Sequence, residues 1–409
     1  RKNIKQSGQK QKAKYSFFHN IKSLLFSVIL PGKSKNQAER AIFKEKSPAF
    51  PFSNGKISLI FLIKALVNTI FTFIFLKNQP TGEYFMLYLL AGLRSCFGPL
   101  RLFEYVTFRS GCALLTAMFI VILFGPWTIR KLKQFCVPKS ARLSGVIDEK
   151  FVDHSKDKTP TMGGLLIVAA IAVSTIFWSD LSNPKVLVFL LVLLPLTALG
   201  FYDDYIKVKY ERSVRDGVSG KMKLTVQGIV SLIALACIYK MPDTMTTKML
   251  LPFYRDPMCL KPAGETIQFW LPPQLLDHPL FSFAASWGLV AIGLIFIFNM
   301  LYVMFFSNAV NLTDGKDGLA AGTTVFCVLS LASVAYMHGH AVFAKYLSIP
   351  YIPELGEISV FASAMAGACI GFLWYNCKPA SVFMGDTGSL PLGGCIGLIA
   401  VLMGQQLLL

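Results

Sequence analysis

The sequence predicts an all-α fold, a polytopic bundle of membrane-spanning helices. Three features of its 409 residues carry that prediction. Hydrophobic residues make up 54% of the chain against 15% charged, which is too apolar for an ordinary soluble domain of this length. Apolar runs of about 20 residues, enough to cross roughly 30 Å of hydrocarbon, recur along most of the sequence. The formal charge of +18 is concentrated in one tail and in short loops between those runs, the pattern of basic loops retained on one side of a membrane.

The chain opens with a basic stretch. Residues 1–46 hold twelve Lys/Arg against Glu39 and Glu45, a net +10 of the total +18. The stretch has no periodic apolar face and reads as disordered. No basic platform interleaved with aromatic residues accompanies it, so nucleic acid is not an expected partner. Residues 57–76 form an apolar run long enough to be an extra N-terminal span, with Lys64 near its middle counting against it. We therefore divide the chain into an extension, 1–85, and a membrane domain, 86–409.

Eight spans follow, at roughly 105–129, 161–179, 185–202, 224–240, 283–307, 319–337, 358–375 and 389–409. Their connections alternate in character. Segment 130–160 carries eight Lys/Arg and 203–223 carries six, whereas 180–184 and 241–282 are poor in base. The positive-inside rule makes the basic loops cytoplasmic. Counting crossings then puts 308–318 and 376–388 on the same face and 338–357 on the other. Every segment with chemically interesting polar residues thus falls on one side of the bilayer.

The nine cysteines form no CxxC pair and lie largely inside apolar runs, and the five histidines are scattered. Neither a disulfide framework nor a zinc site is expected.

Carboxylates carry the chemistry instead. Asp203 and Asp204 follow directly on the span that ends at Tyr202. A solvated helix end would explain most such pairs, but negative charge at a helix C-terminus is disfavoured and charge at the membrane boundary is costly. Such a pair can bind a divalent cation or take a proton from a group arriving from the lipid. In the run from Asn308 to Gly318, Asn311, Asp314 and Asp317 stand among glycines. One of them can cap the next helix, which leaves the others without a role. Asp386 lies between Gly385 and Gly388 just ahead of the last span, with Asn376 closing the span before. There it can cap a helix or give a hard oxygen ligand to Mg²⁺ beside a phosphate site. Lys156 and Lys158 precede Thr159–Gly164, and Lys207, Lys221 and Lys223 follow the Asp pair. Each lysine alone needs no purpose beyond topology. Together with the acids they describe a site for a polyanion and a metal, the combination phosphoryl transfer requires.

Read as strings, TPTMGG (159–164), DD (203–204), NAVNLTDGKDGLA (308–320) and FLWYNCKPASVFMGDTGSLPLGG (372–394) occur in the order of a known family. From about Met86 to Leu409 the chain resembles the bacterial phospho-N-acetylmuramoyl-pentapeptide transferases, members of the polyprenyl-phosphate sugar-1-phosphate transferase superfamily. The resemblance implies a ten-helix inner-membrane enzyme with its active site facing the cytoplasm. Such an enzyme moves phospho-MurNAc-pentapeptide from UDP-MurNAc-pentapeptide to undecaprenyl phosphate with Mg²⁺, releasing UMP and making lipid I. Carried over by position, Asp203 and Asp204 resemble the catalytic pair and Asp386 the catalytic magnesium ligand. Lys156, Thr161, Lys207 and Lys223 resemble family site residues, with Lys221 competing for the place of Lys223. Asn311, Asp314, Asp317, Asn376 and Phe383 resemble nucleotide and substrate contacts. A homodimer is compatible with the resemblance. The chain departs from the pattern at Lys158, Lys316 and Pro391, where the family has Gly, Leu and Ala. Residues 1–85 have no counterpart and Met86 resembles a natural start. The family's His-rich motif and last two helices are expected beyond residue 409, so the chain reads as C-terminally truncated.

Two other readings compete. A sister enzyme would transfer GlcNAc-1-phosphate to the same lipid. A transporter vestibule would also gather intramembrane acids, although its sites belong at the midplane and the chain shows no inverted repeat.

Overall fold

The computed structural model describes residues 98–134, 159–209, 217–241, 248–249, 258–259 and 288–407. The expected extension 1–85 and the apolar run 57–76 lie outside the described residues, as does Lys156. After a short 3-10 turn, Gly98–Glu104, the helices are α1 (Val106–Lys133), α2 (Gly164–Trp178), α3 (Pro184–Lys209), α4 (Gly220–Tyr239), α5 (Gly288–Thr313), α6 (Leu319–Gly339), α7 (Ala341–Leu347), α8 (Gly356–Asn376) and α9 (Asp386–Met403). A two-residue antiparallel ribbon, Lys248–Met249 against Met258–Cys259, interrupts an otherwise all-α architecture.

Seven of these helices are long and apolar enough to cross a membrane, and α2 is apolar but has only 15 residues. The chain is a multi-pass membrane protein. Its eight apolar helices coincide with the eight expected spans, with two informative shifts. Helix α2 starts at Gly164 rather than 161 because Met162 takes a positive φ of 74°, which no helix continues, and the backbone of 160–164 bonds to the 383–384 segment instead. Phe383 N donates to Pro160 O, Gly163 N to Phe383 O and Gly164 N to Met384 O, each at 2.9 Å. That pairing consumes the backbone groups a helix would need. Helix α9 starts at Asp386 rather than 389 and ends at Gly404, a left-handed residue that closes the helix.

Helix α9 is the axle of the bundle. Nearly all of it is buried, and it packs on α2, α3, α5 and α6. It meets α3 backbone to backbone because Gly200 has no side chain: a Cβ there would stand 2.1 Å from Asp386 O. Helices without a hydrophobic drive to associate in lipid rely on such close backbone approach. The approach brings the end of α3, with its Asp pair, against the first turn of α9. On the outside, Leu115, Phe119, Leu123 and Trp127 of α1 recur at helical spacing and are exposed, as are Leu294, Leu301 and Phe305 of α5. Such stripes face hydrocarbon in a bilayer.

Helix α1 contains Pro126, which has no N–H to give to Ile122 O. Tyr375 of α8 supplies the missing donor, its hydroxyl lying 2.7 Å from that carbonyl. This contact fixes α1 and α8 side by side near the end of α8 that carries Asn376.

The ends of α3, α5 and α8 and the starts of α2, α4, α6 and α9 all lie at one end of the bundle, the site end. The opposite end is tied by ion pairs that the sequence did not reveal. Arg109 grips Glu357 with two bonds of 2.8 and 2.6 Å, and Asp180 N donates to the same carboxylate at 2.9 Å. Lys185, wholly buried, pairs with Glu354. His338 is at this end, with Nδ1 2.8 Å from Pro350 O.

Candidate active site

The site is built where α3, α4, α5 and α9 meet. Asp203 and Lys207 are four apart on the last turns of α3 and share a face, so the ammonium reaches back to the carboxylate at 2.5 Å. Lys223, in the first turn of α4, adds a second ammonium 2.9 Å from the same Asp203 Oδ2. Asp203 Oδ1 accepts from Val218 N at 2.6 Å, so the segment leading into α4 is held against the end of α3.

Asp204 faces the other way, into α9. Its Oδ2 accepts from Thr387 N at 3.1 Å and from Thr387 Oγ1 at 2.7 Å. Adjacent residues on a helix point about 100° apart, one on each side of the α3–α9 contact. Gly385, the residue before α9, has φ 72°, and a Cβ there would lie 2.5 Å from Asp204 Oδ2 and 2.9 Å from Thr161 Oγ1. The backbone reaches the carboxylate and the Thr161 hydroxyl because that side chain is absent.

Asp386 joins the two groups. It lies inside the first turn of α9, where a negative charge suits the helix dipole, and it does not cap the helix. One carboxylate oxygen receives Lys223 at 2.6 Å, with Lys207 at 3.6 Å, and the other accepts from Asn311 Nδ2 at 2.8 Å. Asn311 also reaches Ser389 Oγ at 2.8 Å.

Carboxylate oxygens of Asp203, Asp204 and Asp386 lie within 4.8 Å of one another. Three carboxylates against two ammonium groups leave a formal charge of −1. Convergent hard oxygen donors suit Mg²⁺ rather than a soft metal. The donor set therefore fits that ion.

The other sequence candidates divide by what they touch. Asp314 accepts from Gly385 N at 3.1 Å, Asp317 from Ala380 N at 3.4 Å, and Asn376 from Gly318 N at 3.0 Å while donating to Val382 O at 2.8 Å. Asp314 and Asp317 thus sit in a turn beyond α5, not on a shared helix face, and with Asn376 they stitch the 314–318 turn to the 377–385 loop. Phe383 is half-buried in that loop. Of the two lysines competing on α4, Lys223 reaches the cluster and Lys221 is exposed. Sequence reasoning passed over Thr387, Ser389, Gln227 and Ser307. The first two stood in plain view in GDTGS, and Gln227, four residues past Lys223, was marked only by being polar within an apolar span.

A bundle of apolar helices with a carboxylate and lysine cluster at one end defines a membrane-embedded transferase, and comparison with known proteins agrees. The glycosyl transferase family 4 model matches residues 186–404, and the phospho-N-acetylmuramoyl-pentapeptide-transferase signature 1 matches residues 156–168. The chain is 40% identical over 328 residues to the phospho-N-acetylmuramoyl-pentapeptide-transferase of Koribacter versatilis (strain Ellin345), covering 80% of this chain and 81% of the relative. It is 42% identical over 316 residues to that of Acidobacterium capsulatum, covering 76% and 78%. With that of Neisseria gonorrhoeae (strain NCCP11945) it shares 40% over 311 residues, 76% and 77%. The chain belongs to the phospho-N-acetylmuramoyl-pentapeptide-transferase family.

Proposed function

We propose that this protein transfers phospho-MurNAc-pentapeptide from UDP-MurNAc-pentapeptide to undecaprenyl phosphate, forming lipid I and UMP at the cytoplasmic face of the bacterial inner membrane. The observation that carries the reading is the convergence of Asp203, Asp204 and Asp386 with Lys207 and Lys223 at the membrane boundary. A lipid-borne phosphate and a water-soluble nucleotide can meet only there.

In this reading Asp203 accepts the proton of the lipid phosphate. The freed oxygen attacks the β-phosphorus of the UDP-sugar, the bond to the bridging oxygen breaks, and UMP leaves. Lys207 and Lys223 hold the pyrophosphate by charge. Asp386, with Asp203 and Asp204 in reach, is the residue we assign to hold Mg²⁺, which when bound would neutralise the pyrophosphate charge. Asp204, held by Thr387, fixes the end of α3 on α9. Asn311 orients Asp386. Asp314, Asp317 and Asn376, by stitching the two loops, shape the nucleotide and sugar pocket, with Phe383, Thr161 and Lys156 as further contacts.

The test is product formation by the full-length protein in detergent or vesicles. UDP-MurNAc-pentapeptide with undecaprenyl phosphate should give a lipid-linked product and UMP only when Mg²⁺ is present, and UDP-GlcNAc should not. Asp386→Asn should lower turnover by about a hundredfold or more, since several kcal/mol of charge stabilisation is removed. It should also abolish Mg²⁺ binding measured calorimetrically. Turnover of UDP-GlcNAc instead would move the protein to the sister activity, and full rate without divalent metal would remove the metal from the reading.

A further inference from the structure

Gln227 lies one helical turn past Lys223 on α4, and the transfer chemistry above does not use it. It is 1% exposed, an amide carried inside an apolar helix, where an unpaired polar group is costly. Its partner is on α5. Asn308 Nδ2 donates to Gln227 Oε1 at 2.8 Å, and Gln227 Nε2 returns longer contacts to Asn308 Oδ1 at 3.4 Å and to Ser307 Oγ at 3.3 Å. Ser307 Oγ in turn donates to Leu390 O on α9 at 2.9 Å.

These contacts form a lower tier beneath the charged one. In the upper tier Lys223 and Asn311 take opposite oxygens of Asp386. Gln227 is four residues after Lys223, Asn308 three before Asn311, and Leu390 four after Asp386. Each tier therefore draws on the same faces of the same three helices, one turn apart. Val226 and Val230 of α4 and Val303 of α5 are buried in the apolar core, but dispersion contacts prescribe no donor–acceptor geometry between the helices. A reciprocal amide pair demands one rotation and one separation.

We propose that Gln227 is a positioning residue for the transfer reaction, bridging α4 to Asn308 so that Lys223 and Asn311 converge on Asp386. The inference rests on the reading given under Proposed function. Removing the bridge leaves Asp386 and both ammonium groups present but lets α4 rotate against α5.

The test uses the full-length protein in vesicles with Gln227→Leu, which keeps the bulk and removes the amide, and with Gln227→Met in case the branched side chain disturbs folding. Loss of a residue that orients a ligand costs about ten- to a hundredfold in activity. The expected result is a kcat at least about tenfold lower, KM for both substrates within twofold, and an unchanged melting midpoint. Exchanging the pair, Gln227→Asn with Asn308→Gln, keeps the summed side-chain length and should restore most of the rate lost by Gln227→Asn alone. Independently of activity, spin labels at the exposed positions Thr225 and Leu312, in a background depleted of the nine cysteines, should give one narrow distance distribution that broadens in Gln227→Leu. A kcat within twofold of wild type, a rate loss accounted for wholly by unfolding, or an unbroadened distribution overturns the proposal. If wild type itself makes no lipid-linked product, the reading of the site fails, while the spin-label distances still decide whether the bridge sets the helix pair.

Discussion

Thr387 holds Asp204 twice, its backbone N–H and its hydroxyl both donating to the same Asp204 Oδ2, at 3.1 and 2.7 Å. Both residues are buried, so each bond counts. A hydrogen bond to a charged group contributes about 1.5–3 kcal/mol, and Thr387→Val removes one of the two without changing the side chain's shape. We expect turnover to fall by about tenfold or more, in proportion to that loss, while Thr387→Ser, which keeps the hydroxyl, stays within a few-fold of wild type. Steady-state rates of the two variants side by side check this. Equal rates for Val and Ser would mean the backbone bond alone fixes Asp204.

The Tyr375 hydroxyl and Pro126 make a second pair whose effects are opposed. Tyr375→Phe leaves Ile122 O without a donor and should cost about 1 kcal/mol, given that hydrogen bonds between membrane helices average about 0.6 and reach about 1.7 kcal/mol. Pro126→Ala restores the helix's own N–H to that carbonyl. In thermal melts the Phe variant should lose about one to two degrees in wild type and little in the Pro126→Ala background, a coupling that a double-mutant cycle reads directly. Additive losses would show that the hydroxyl acts elsewhere.

Sidedness is tested by chemistry from outside the cell. The bundle brings the ends that carry Asp203, Lys223, Asn311 and Asp386 together, and the loop charges are the ground on which we propose that this end is cytoplasmic. In a cysteine-depleted background, Lys316→Cys and Lys378→Cys, both exposed at the site end, should resist an impermeant thiol reagent in intact cells and react once the cells are opened. Tyr346→Cys, exposed at the opposite end, should react in both. Labelling of residue 316 or 378 in intact cells would invert the topology.

Hydropathy carried the eight helices because a lipid-facing or lipid-depth helix must be apolar over its whole length, and no packing detail is needed to see it. Its misplaced start of α2 has a non-local cause: residues 161–163 were counted with the apolar span, but the backbone of 160–164 bonds to Phe383 and Met384, partners about 220 residues away that no local pattern announces. For the same reason the strings holding Asp203, Asp204 and Asp386 were conspicuous as misplaced charge, whereas Gln227 and Thr387 matter through bonds to residues 81 and 183 positions distant. Arg109 and Lys185 were read past altogether. A buried cation is indistinguishable in sequence from a loop cation until Glu357 and Glu354 are found beside it.

The last prediction concerns Asp203, whose surroundings allow two roles. Two ammonium groups, at 2.5 and 2.9 Å, stabilise its negative charge, which suits an anchor for the lysines better than a base. A base reading requires that those ammonium groups shift to the incoming phosphates, which carry more charge and draw them away. The two roles differ in pH dependence because the lipid phosphate titrates near pH 6, the second pKa of a simple phosphate ester. Above that pH the phosphate is already a dianion and needs no base. Below it the phosphate keeps a proton that something must remove. If Asp203 is the base, the deficit of Asp203→Asn relative to wild type is smallest near pH 8, where the dianion needs no base, and widens as the pH falls to 5. If Asp203 only anchors Lys207 and Lys223, the deficit does not follow the protonation of the lipid phosphate and is the same across that range. We expect the widening deficit. Rates of the full-length enzyme and its Asn variant across that range decide it, together with a control in which undecaprenyl phosphate is omitted. Direct attack by the lipid phosphate predicts no exchange of labelled UMP into UDP-MurNAc-pentapeptide in that control. Exchange without the lipid would instead make a carboxylate the nucleophile, through an aspartyl-phosphate intermediate.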